Sequence, residues 1–223
     1  ALTKIMIDRV YGDAGDIVII EDHLQGQEIS IHALCSDTIM DTFLSIRDHK
    51  TLENNNKGPN TGGMGAYSPV PTFEDHDLFH VEQTIIKPML KALKRCKIPF
   101  NGCLYPGLMI TSDGPKVLEI NARFGDPETQ VLMALLANDL FLTLKSYACG
   151  QSEIAPVFLK DKHAVCVVLC SKEYPSSQDH QSVPIYGLEQ AASLSDNIII
   201  FHGATRLVDN QLYTNGGRIF GVT

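Results

Sequence analysis

Basic residues are in short supply in this sequence. Its 223 residues carry 18 Lys and Arg against 26 Asp and Glu, a formal net charge of −8. A general electrostatic grip on nucleic acid or on an anionic membrane needs the opposite balance, so neither is expected as a partner. A phosphorylated ligand then requires local cations or a bound metal ion. The six cysteines, at 35, 96, 103, 149, 166 and 170, include no C-x-x-C pair, so zinc-cage spacing is absent. A chain this long holds enough core to fold without disulfide staples, and no signal-peptide pattern opens it. Together these predict free thiols in a reducing, cytoplasmic setting. The longest apolar runs, 131–137 and 164–170, fall far short of the roughly 20 residues that cross a bilayer, which predicts a soluble protein.

Low complexity and internal repeats are also missing. Gly and Pro number 17 and 11, and 44% hydrophobic with 20% charged residues suit one or two packed domains and exclude disorder. Neither end carries a boundary signal. Ala1 is not a start methionine, residues 1–8 read as the middle of an amphipathic helix with Leu2, Ile5 and Met6 inward, and Thr223 closes a strand-like run. The reading is a fragment.

The β-branched run Ile17-Val18-Ile19-Ile20, turning polar at Glu21-Asp22-His23, predicts a buried strand emerging at an edge. Residues 28–34 alternate and 38–46 return after Ser36-Asp37, which predicts an antiparallel hairpin. Four glycines and three prolines fall within 58–71, the composition of a loop. Leu78, Val81, Ile85, Met89 and Leu93 recur every three or four residues, the stripe of a helix with Glu74 or Asp75 at its cap. Residues 102–111 and 116–123 read as strands joined by the turn Ser112-Asp113-Gly114-Pro115. Asp126 followed by Pro127 predicts a helix start, Asn138-Asp139 a restart, and Gly150 its end. Short strands follow at 164–170, 197–201, 211–214 and 218–222. The division expected is 1–155 and 156–223, the second unit small and rich in strand.

Candidate chemistry concentrates in the second of the paired strands. Alternation places Glu119, Asn121 and Arg123 on one face and Leu118, Ile120 and Ala122 on the other, the apolar side turned to helices. Carboxylate and carboxamide oxygens are hard ligands that suit Mg²⁺, which completes its shell with water and phosphate oxygens. Arg123 beside them would grip an anion. An ordinary exposed Glu/Arg pair is the alternative. The glycine-rich run 58–67 matches neither G-x-G-x-x-G nor a P-loop; it is either an anion cradle of backbone N–H groups or a plain surface turn. Asp48-His49-Lys50 puts charge at a strand end nearby. Glu21 and Glu28 flank a turn where backbone can meet a base edge and a carboxylate can hold ribose hydroxyls. His76 and His80 lie one helical turn apart, but Glu74, Asp75 and Asp77 mark a solvated first turn rather than a metal site.

In order along the chain, Asp48-His49-Lys50, the run G-P-N-T-G-G-M-G-A-Y-S-P at 58–69, L-E-I-N-A-R-F-G-D-P-E-T-Q at 118–130 and T-N-G-G-R at 214–218 resemble the glycinamide ribonucleotide synthetases, phosphoribosylamine–glycine ligases of the ATP-grasp superfamily. The resemblance covers nearly the whole chain. It implies an α/β (α+β) fold, an ATP-grasp domain lacking its N-terminal part and followed by a small β-rich domain. It implies that ATP, glycine and 5-phosphoribosylamine give glycinamide ribonucleotide, ADP and phosphate through glycyl phosphate, a step of purine synthesis. Glu119 and Asn121 then hold Mg²⁺ or Mn²⁺, and Arg123 holds phosphoryl or glycine oxygens. Glu21 and Leu24 meet adenine, and Glu28 lies near ribose. Asn60, Thr61, Gly62, Gly63 and Met64, with Asp48 and Lys50, shape the phosphoribosylamine and glycine side. Thr51, His23 and the stretch 171–175 depart from the family pattern. A glycine-rich flap with an ATP-binding lysine would precede Ala1, so residues 1–223 alone are expected to be inactive, and in many eukaryotes the activity is fused to another purine enzyme. Another ATP-grasp ligase and a non-catalytic nucleotide-binding module are the competing readings.

Overall fold

The computed structural model describes residues 2–176 and 181–223. A π-helical turn at Thr3–Ile7 and a 3-10 turn at Gly12–Gly15 come first; Leu2 and Met6 of the expected opening helix are exposed, and Ala1 lies outside the described residues. The strands β1 (Gln27–Ser30), β2 (Ala33–Ser36), β3 (Ile39–Thr42), β4 (Arg47–Asp48), β5 (Thr51–Glu53), β6 (Lys57–Asn60) and β7 (Gly65–Ser68) follow. Helices α1 (Asp75–Val81) and α2 (Lys87–Arg95) lead to the long strands β8 (Asn101–Thr111) and β9 (Gly114–Asn121), then to α3 (Glu128–Leu135) and α4 (Leu140–Ala148). Last come β10 (Ala164–Cys170), α5 (Leu188–Ala192), β11 (Ile200–His202), β12 (Thr205–Val208), β13 (Gln211–Thr214) and β14 (Arg218–Val222).

The first sheet is organised by β8. Ser30 of β1 pairs Gly107 and Ala33 of β2 pairs Leu104, so both strands follow β8 in one register, while β9 hairpins back on its other edge. The turn through Asp37, at φ 55, returns β2 into β3 as the alternation predicts. The second sheet has the order β11-β14-β10-β7-β4, so strands from both sides of residue 155 share it. Helices α1 and α2 pack on the first sheet with the stripe shifted by one residue beyond Val81: Val81, Ile86 and Leu90 bury against Ile29, Ile31, Leu104 and Leu108, while Leu78, Ile85 and Met89 are only partly buried. Helices α3 and α4 fill the space between the sheets with Val131, Leu132, Leu135 and Tyr147 against Leu34, Phe43, Ala66 and Cys166. Burying each such side chain is worth about 2 kcal/mol.

Caps follow the sequence closely. Glu74 and Asp77 form a reciprocal capping box at α1, Asp139 accepts the Leu142 N–H at α4, and Gly150 sits at φ +73 where α4 ends, as left-handed backbone favours glycine. A π turn at Glu82–Ile86 joins α1 to α2; Pro88 has no N–H for the α ladder there. No helix among the described residues is long and apolar enough to cross a membrane.

Four expectations are corrected. Residues 17–20 form no strand, and Ile17 is 84% exposed; β-branched residues favour a strand only where another strand pairs with it, and none of the described residues does. The apolar side of β9 is not turned to helices: Leu118 and Ile120 are exposed, because β9 packs mainly with its ladder partner β8 and no helix among the described residues is laid over its face. Residues 58–71 are not all loop, since Pro59 sits in the two-stranded ribbon of β5 and β6, and β7 lies inside the second sheet. There Gly65 permits the close pairing, as a Cβ would lie 2.6 Å from the Cys166 carbonyl oxygen. Finally, α3 opens at Glu128 with Pro127 in the cap position, and the Asp126 carboxylate accepts from the Gln130 amide instead.

Candidate functional site

One cavity of about 440 Å³ opens where the two sheets approach, lined by Glu28, Asp48, Lys50, Asn60, Thr61, Gly62, Tyr105, Leu118, Glu119, Arg123, Asp126 and Glu128. Eight of the residues singled out in the sequence meet here: Glu28, Asp48, Lys50, Asn60, Thr61, Gly62, Glu119 and Arg123. They arrive from β1, the end of β4, β6 and its following loop, and β9 with the turn after it. Gly63, Met64 and Asn121 are adjacent in sequence but are not part of the lining. Glu21 and Leu24 lie instead along a second opening of about 480 Å³ with Asp22, His23, Met109, Lys116, Val117 and Leu118. Leu118 borders both spaces.

The floor of the first cavity is a buried polar cluster that the sequence reading passed over. Glu128, only 2% exposed, accepts hydrogen bonds from the Tyr105 hydroxyl and from Ser30 Oγ at 3.3 Å. Ser30 Oγ and Tyr105 Oη are 2.9 Å apart. Burial and the Glu128 charge push the Tyr105 phenol well above its ordinary range. His32 stacks on Tyr105 with ring centroids 4.2 Å apart, and its Nε2 accepts the Gly125 N–H at 3.0 Å. Burial first, then Arg123, lowers His32 to about 3, so it is the neutral imidazole that orients the turn carrying Glu128. Gly125 is required there, since a Cβ would lie 2.4 Å from Glu128 Oε2. Glu128 was within the quoted run 118–130, but only the pairing of β1 with β8 brings Ser30 and Tyr105 to it.

Asp48 is the most perturbed acid of the lining. It is 7% exposed, and its Oδ1 has no hydrogen-bond partner among the described residues. Burial, then the Glu128 and Glu28 charges, raises it to about 8 against the opposing pull of Lys50 and Arg218. Its carboxyl therefore stays mainly protonated at neutral pH. Burial works to lower the Lys50 ammonium, but its hydrogen bond to Glu28 and the charges of Glu28, Asp48 and Glu119 outweigh this and hold it above the ordinary value.

In the glycine run the amides of 61–64 already have protein acceptors, which favours the turn over the anion cradle there. Thr61 N–H donates to Lys50 O, Gly62 N–H to Tyr174 Oη, Gly63 N–H to Thr61 Oγ1 and Met64 N–H to His49 O. The loop contributes shape and the side chains of Asn60 and Thr61. On β9 the alternation holds: Asn121 Nδ2 donates to Glu119 Oε1 at 3.1 Å, which leaves the carboxamide oxygen beside the carboxylate. Gly107 pairs with Glu119 across the ladder and leaves room for its side chain, a Cβ there lying 3.2 Å from Glu119 Cγ. The lining holds five acids, Glu28, Asp48, Glu119, Asp126 and Glu128, and two cations, Lys50 and Arg123. A polyphosphate entering such a field needs a counter-cation, and two adjacent hard oxygens suit one that takes its remaining ligands from phosphate and water. No cluster of three or more Asp, Glu, His or Cys among the described residues forms a self-sufficient metal cage. His76, paired with Glu74 and Asp77, is exposed, a solvated first turn as expected.

Known proteins resemble this chain along its whole length. A model described as the phosphoribosylglycinamide synthetase ATP-grasp (A) domain matches residues 1–129, and that of the C domain matches 164–223. The phosphoribosylamine–glycine ligase of Rhodopirellula baltica is 40% identical over 100% of this chain and 51% of its own length. The trifunctional purine biosynthetic protein adenosine-3 of Gallus gallus is also 40% identical, over 100% of this chain and 22% of its own length. The crystal structure of the Thermotoga maritima phosphoribosylamine–glycine ligase superposes with a TM-score of 0.75 at 28% identity, covering 90% of this chain and 48% of that one. The expected ATP-grasp portion followed by a small sheet-rich unit is thereby supported. The chain spans about half the length of the curated phosphoribosylamine–glycine ligases it matches.

Proposed function

This chain belongs to the phosphoribosylglycinamide synthetase family, and on that premise we propose that the protein carrying it ligates glycine to 5-phosphoribosylamine, using ATP and releasing ADP and phosphate. The observation that supports this most is the meeting of Asp48, Lys50, Asn60, Thr61, Glu119, Arg123 and Glu128 around one cavity. A free carboxylate is a poor acyl donor because its leaving group would be oxide. Transfer of the γ-phosphoryl group to a glycine carboxylate oxygen, with ADP leaving, makes that oxygen part of a phosphate. The phosphoribosylamine nitrogen then attacks the carbonyl carbon, the C–O bond to phosphate breaks, and the nitrogen gives up a proton. Such a reaction is governed by positioning and charge neutralisation.

The residues divide the work by charge. Glu119 and Asn121 are the oxygen donors for Mg²⁺, or Mn²⁺ in its place. When bound, the ion would neutralise the charge of the β- and γ-phosphates. Arg123 offers a planar guanidinium to carboxylate or phosphoryl oxygens. Asp48 and Glu128 face the cavity as acceptors for an ammonium or amine, and Lys50, held by Glu28, presents a fixed positive charge to an anion. The exposed backbone at Glu21 to Leu24, along the second opening, is the adenine side, with Glu28 toward the ribose. The setting that fits such an enzyme is cytoplasmic, and the division proposed at about residue 155 is one of chain order, since β4 and β7 from before it complete the sheet of β10, β11 and β14.

The deciding experiment supplies the full chain with Mg-ATP and each substrate singly and together. ADP formation is expected only when glycine and phosphoribosylamine are both present. No ADP with both would favour a non-catalytic nucleotide-binding module and refute the ligase reading. ADP formation with other carboxylates in preference to glycine would point to a different carboxylate–amine ligase.

A further inference from the structure

The T-N-G-G-R run at 214–218 contributes no residue to the lining, yet it reaches the cavity walls. Arg218 Nη1 donates to the Gly62 carbonyl oxygen and to the Asp126 carbonyl oxygen, both at 2.7 Å, with longer approaches to Gly63 O at 3.4 Å and Asp126 Oδ1 at 3.5 Å. On the preceding peptide unit, Gly62 N–H donates to Tyr174 Oη at 2.7 Å. Gly62 is thus gripped through both its N–H and its C=O by two side chains that follow β10 in the chain. Gly62 belongs to one wall of the cavity and Asp126 to another, and one guanidinium nitrogen bridges them.

The glycines of both motifs make this contact possible. A Cβ at Gly62 would lie 3.1 Å from Arg218 Cζ and from Tyr174 Oη. At Gly63, where φ is +112, it would lie 2.4 Å from Pro127 Cδ and 2.9 Å from Asp48 Oδ1. A Cβ at Gly217 would lie 2.4 Å from Tyr174 Cδ2. Gly62 and Gly63 in the loop and Gly217 before β14 therefore close on Tyr174, Arg218 and Pro127.

We propose that Arg218 and Tyr174 are positioning residues: they lock the loop 60–64 against the turn 125–128, so that the strand-rich C-terminal unit sets the distance between the walls that carry Asp48, Asn60, Thr61 and Glu128. Both short bonds come from the single nitrogen Nη1, whose two N–H groups lie fixed in the guanidinium plane, whereas a lysine ammonium turns freely on a flexible stem. The inference rests on reading the cavity as the glycine and amine site.

Full-chain Arg218→Met, Arg218→Lys and Tyr174→Phe are compared with the parent by amide hydrogen exchange over 60–65 and by KM for glycine and for ATP. Arg218→Met is expected to speed exchange at 62–64 and to raise KM for glycine about tenfold, with KM for ATP changed less than about twofold. Arg218→Lys should recover part of the KM. Tyr174→Phe should expose the Gly62 amide alone and raise KM for glycine about threefold. A purely structural role would lower the melting temperature and leave KM for glycine where it was, which would overturn the proposal. So would unchanged exchange in Arg218→Met, or equal rises in both KM values. If Arg218→Met does not fold, Tyr174→Phe decides by the same measurements. If the parent chain itself makes no ADP from both substrates, the cavity reading fails, and the exchange data still decide whether the clamp exists.

Discussion

Replacing Asp48 by Asn tests the electrostatics of the cavity floor without changing its shape. Asp48 is buried, with Oδ1 unpartnered among the described residues. Glu128, Glu28, Lys50 and Arg218 are the charged groups that act on it. Burial is the dominant cause of its rise from 3.8 to about 8. Between those two values the folded chain keeps a proton that the unfolded chain has released. Raising the pH through this window therefore favours the unfolded state, by about 1.4 kcal/mol per pH unit for one proton. Below the ordinary carboxylate value both states are protonated and the penalty vanishes; above about pH 8 both are ionised and it is complete. Asn has no proton to lose, so the variant lacks this slope.

The gap between variant and parent should therefore widen in favour of the variant, by on the order of 2–3 kcal/mol between about pH 5 and pH 7. Denaturant unfolding of the full chain at several pH values, analysed as the difference between the two proteins, reads this directly, because contributions from other titrating groups cancel. A ligand bearing an ammonium group should reverse the effect, since a positive charge beside Asp48 favours its ionised form. Binding at about pH 7 should then release close to one proton, measurable by calorimetry in two buffers of different ionisation enthalpy. Parallel stability profiles for parent and variant would refute the assignment of Asp48 as the protonated acid.

Two further outcomes follow from the same geometry. Glu119→Ala should abolish Mg-ATP turnover in the full chain while changing unfolding free energy by no more than about 0.5 kcal/mol, because Glu119 is exposed; a retained rate would put the metal elsewhere. Leu132→Ala, in the packed layer between the sheets, should cost about 2–5 kcal/mol in denaturant unfolding with KM values unchanged in the folded fraction.

Much of the fold was readable because its signals are local. The helical stretch around Leu78 to Leu93, the turn at 112–115, the Asp139 cap and the Gly150 stop each depend on residues within a few positions of one another, and each appears in the structure, the buried stripe of the first displaced by one residue beyond Val81. Alternation along β9 correctly placed Glu119 and Asn121 side by side. What the same rule lacks is any knowledge of the neighbours on either face. It therefore assigned Leu118 and Ile120 to a helix-covered side that is exposed, and it gave Ile17 to Ile20 a strand without a partner. The floor of the site was hidden for the same reason. Ser30, Tyr105 and Glu128 are separated by 75, 23 and 98 positions in their three pairings, and only the β1–β8 register with the start of α3 brings them within hydrogen-bond distance.

The glycine-rich run carries the more general lesson. Removing Cβ atoms permits close approach, and a sequence does not say what approaches. An incoming anion and an incoming segment of the same chain leave the same compositional trace. Here the distances separate them: the amides at 61–64 all donate to protein acceptors, and the space a side chain would need at Gly63 and Gly217 is taken by Pro127 and Tyr174. The run therefore contributes to the cavity as a wall held from behind. Its rigidity depends on a strand more than 150 positions away in sequence, which is why the two glycine-containing motifs gain their meaning only as a pair.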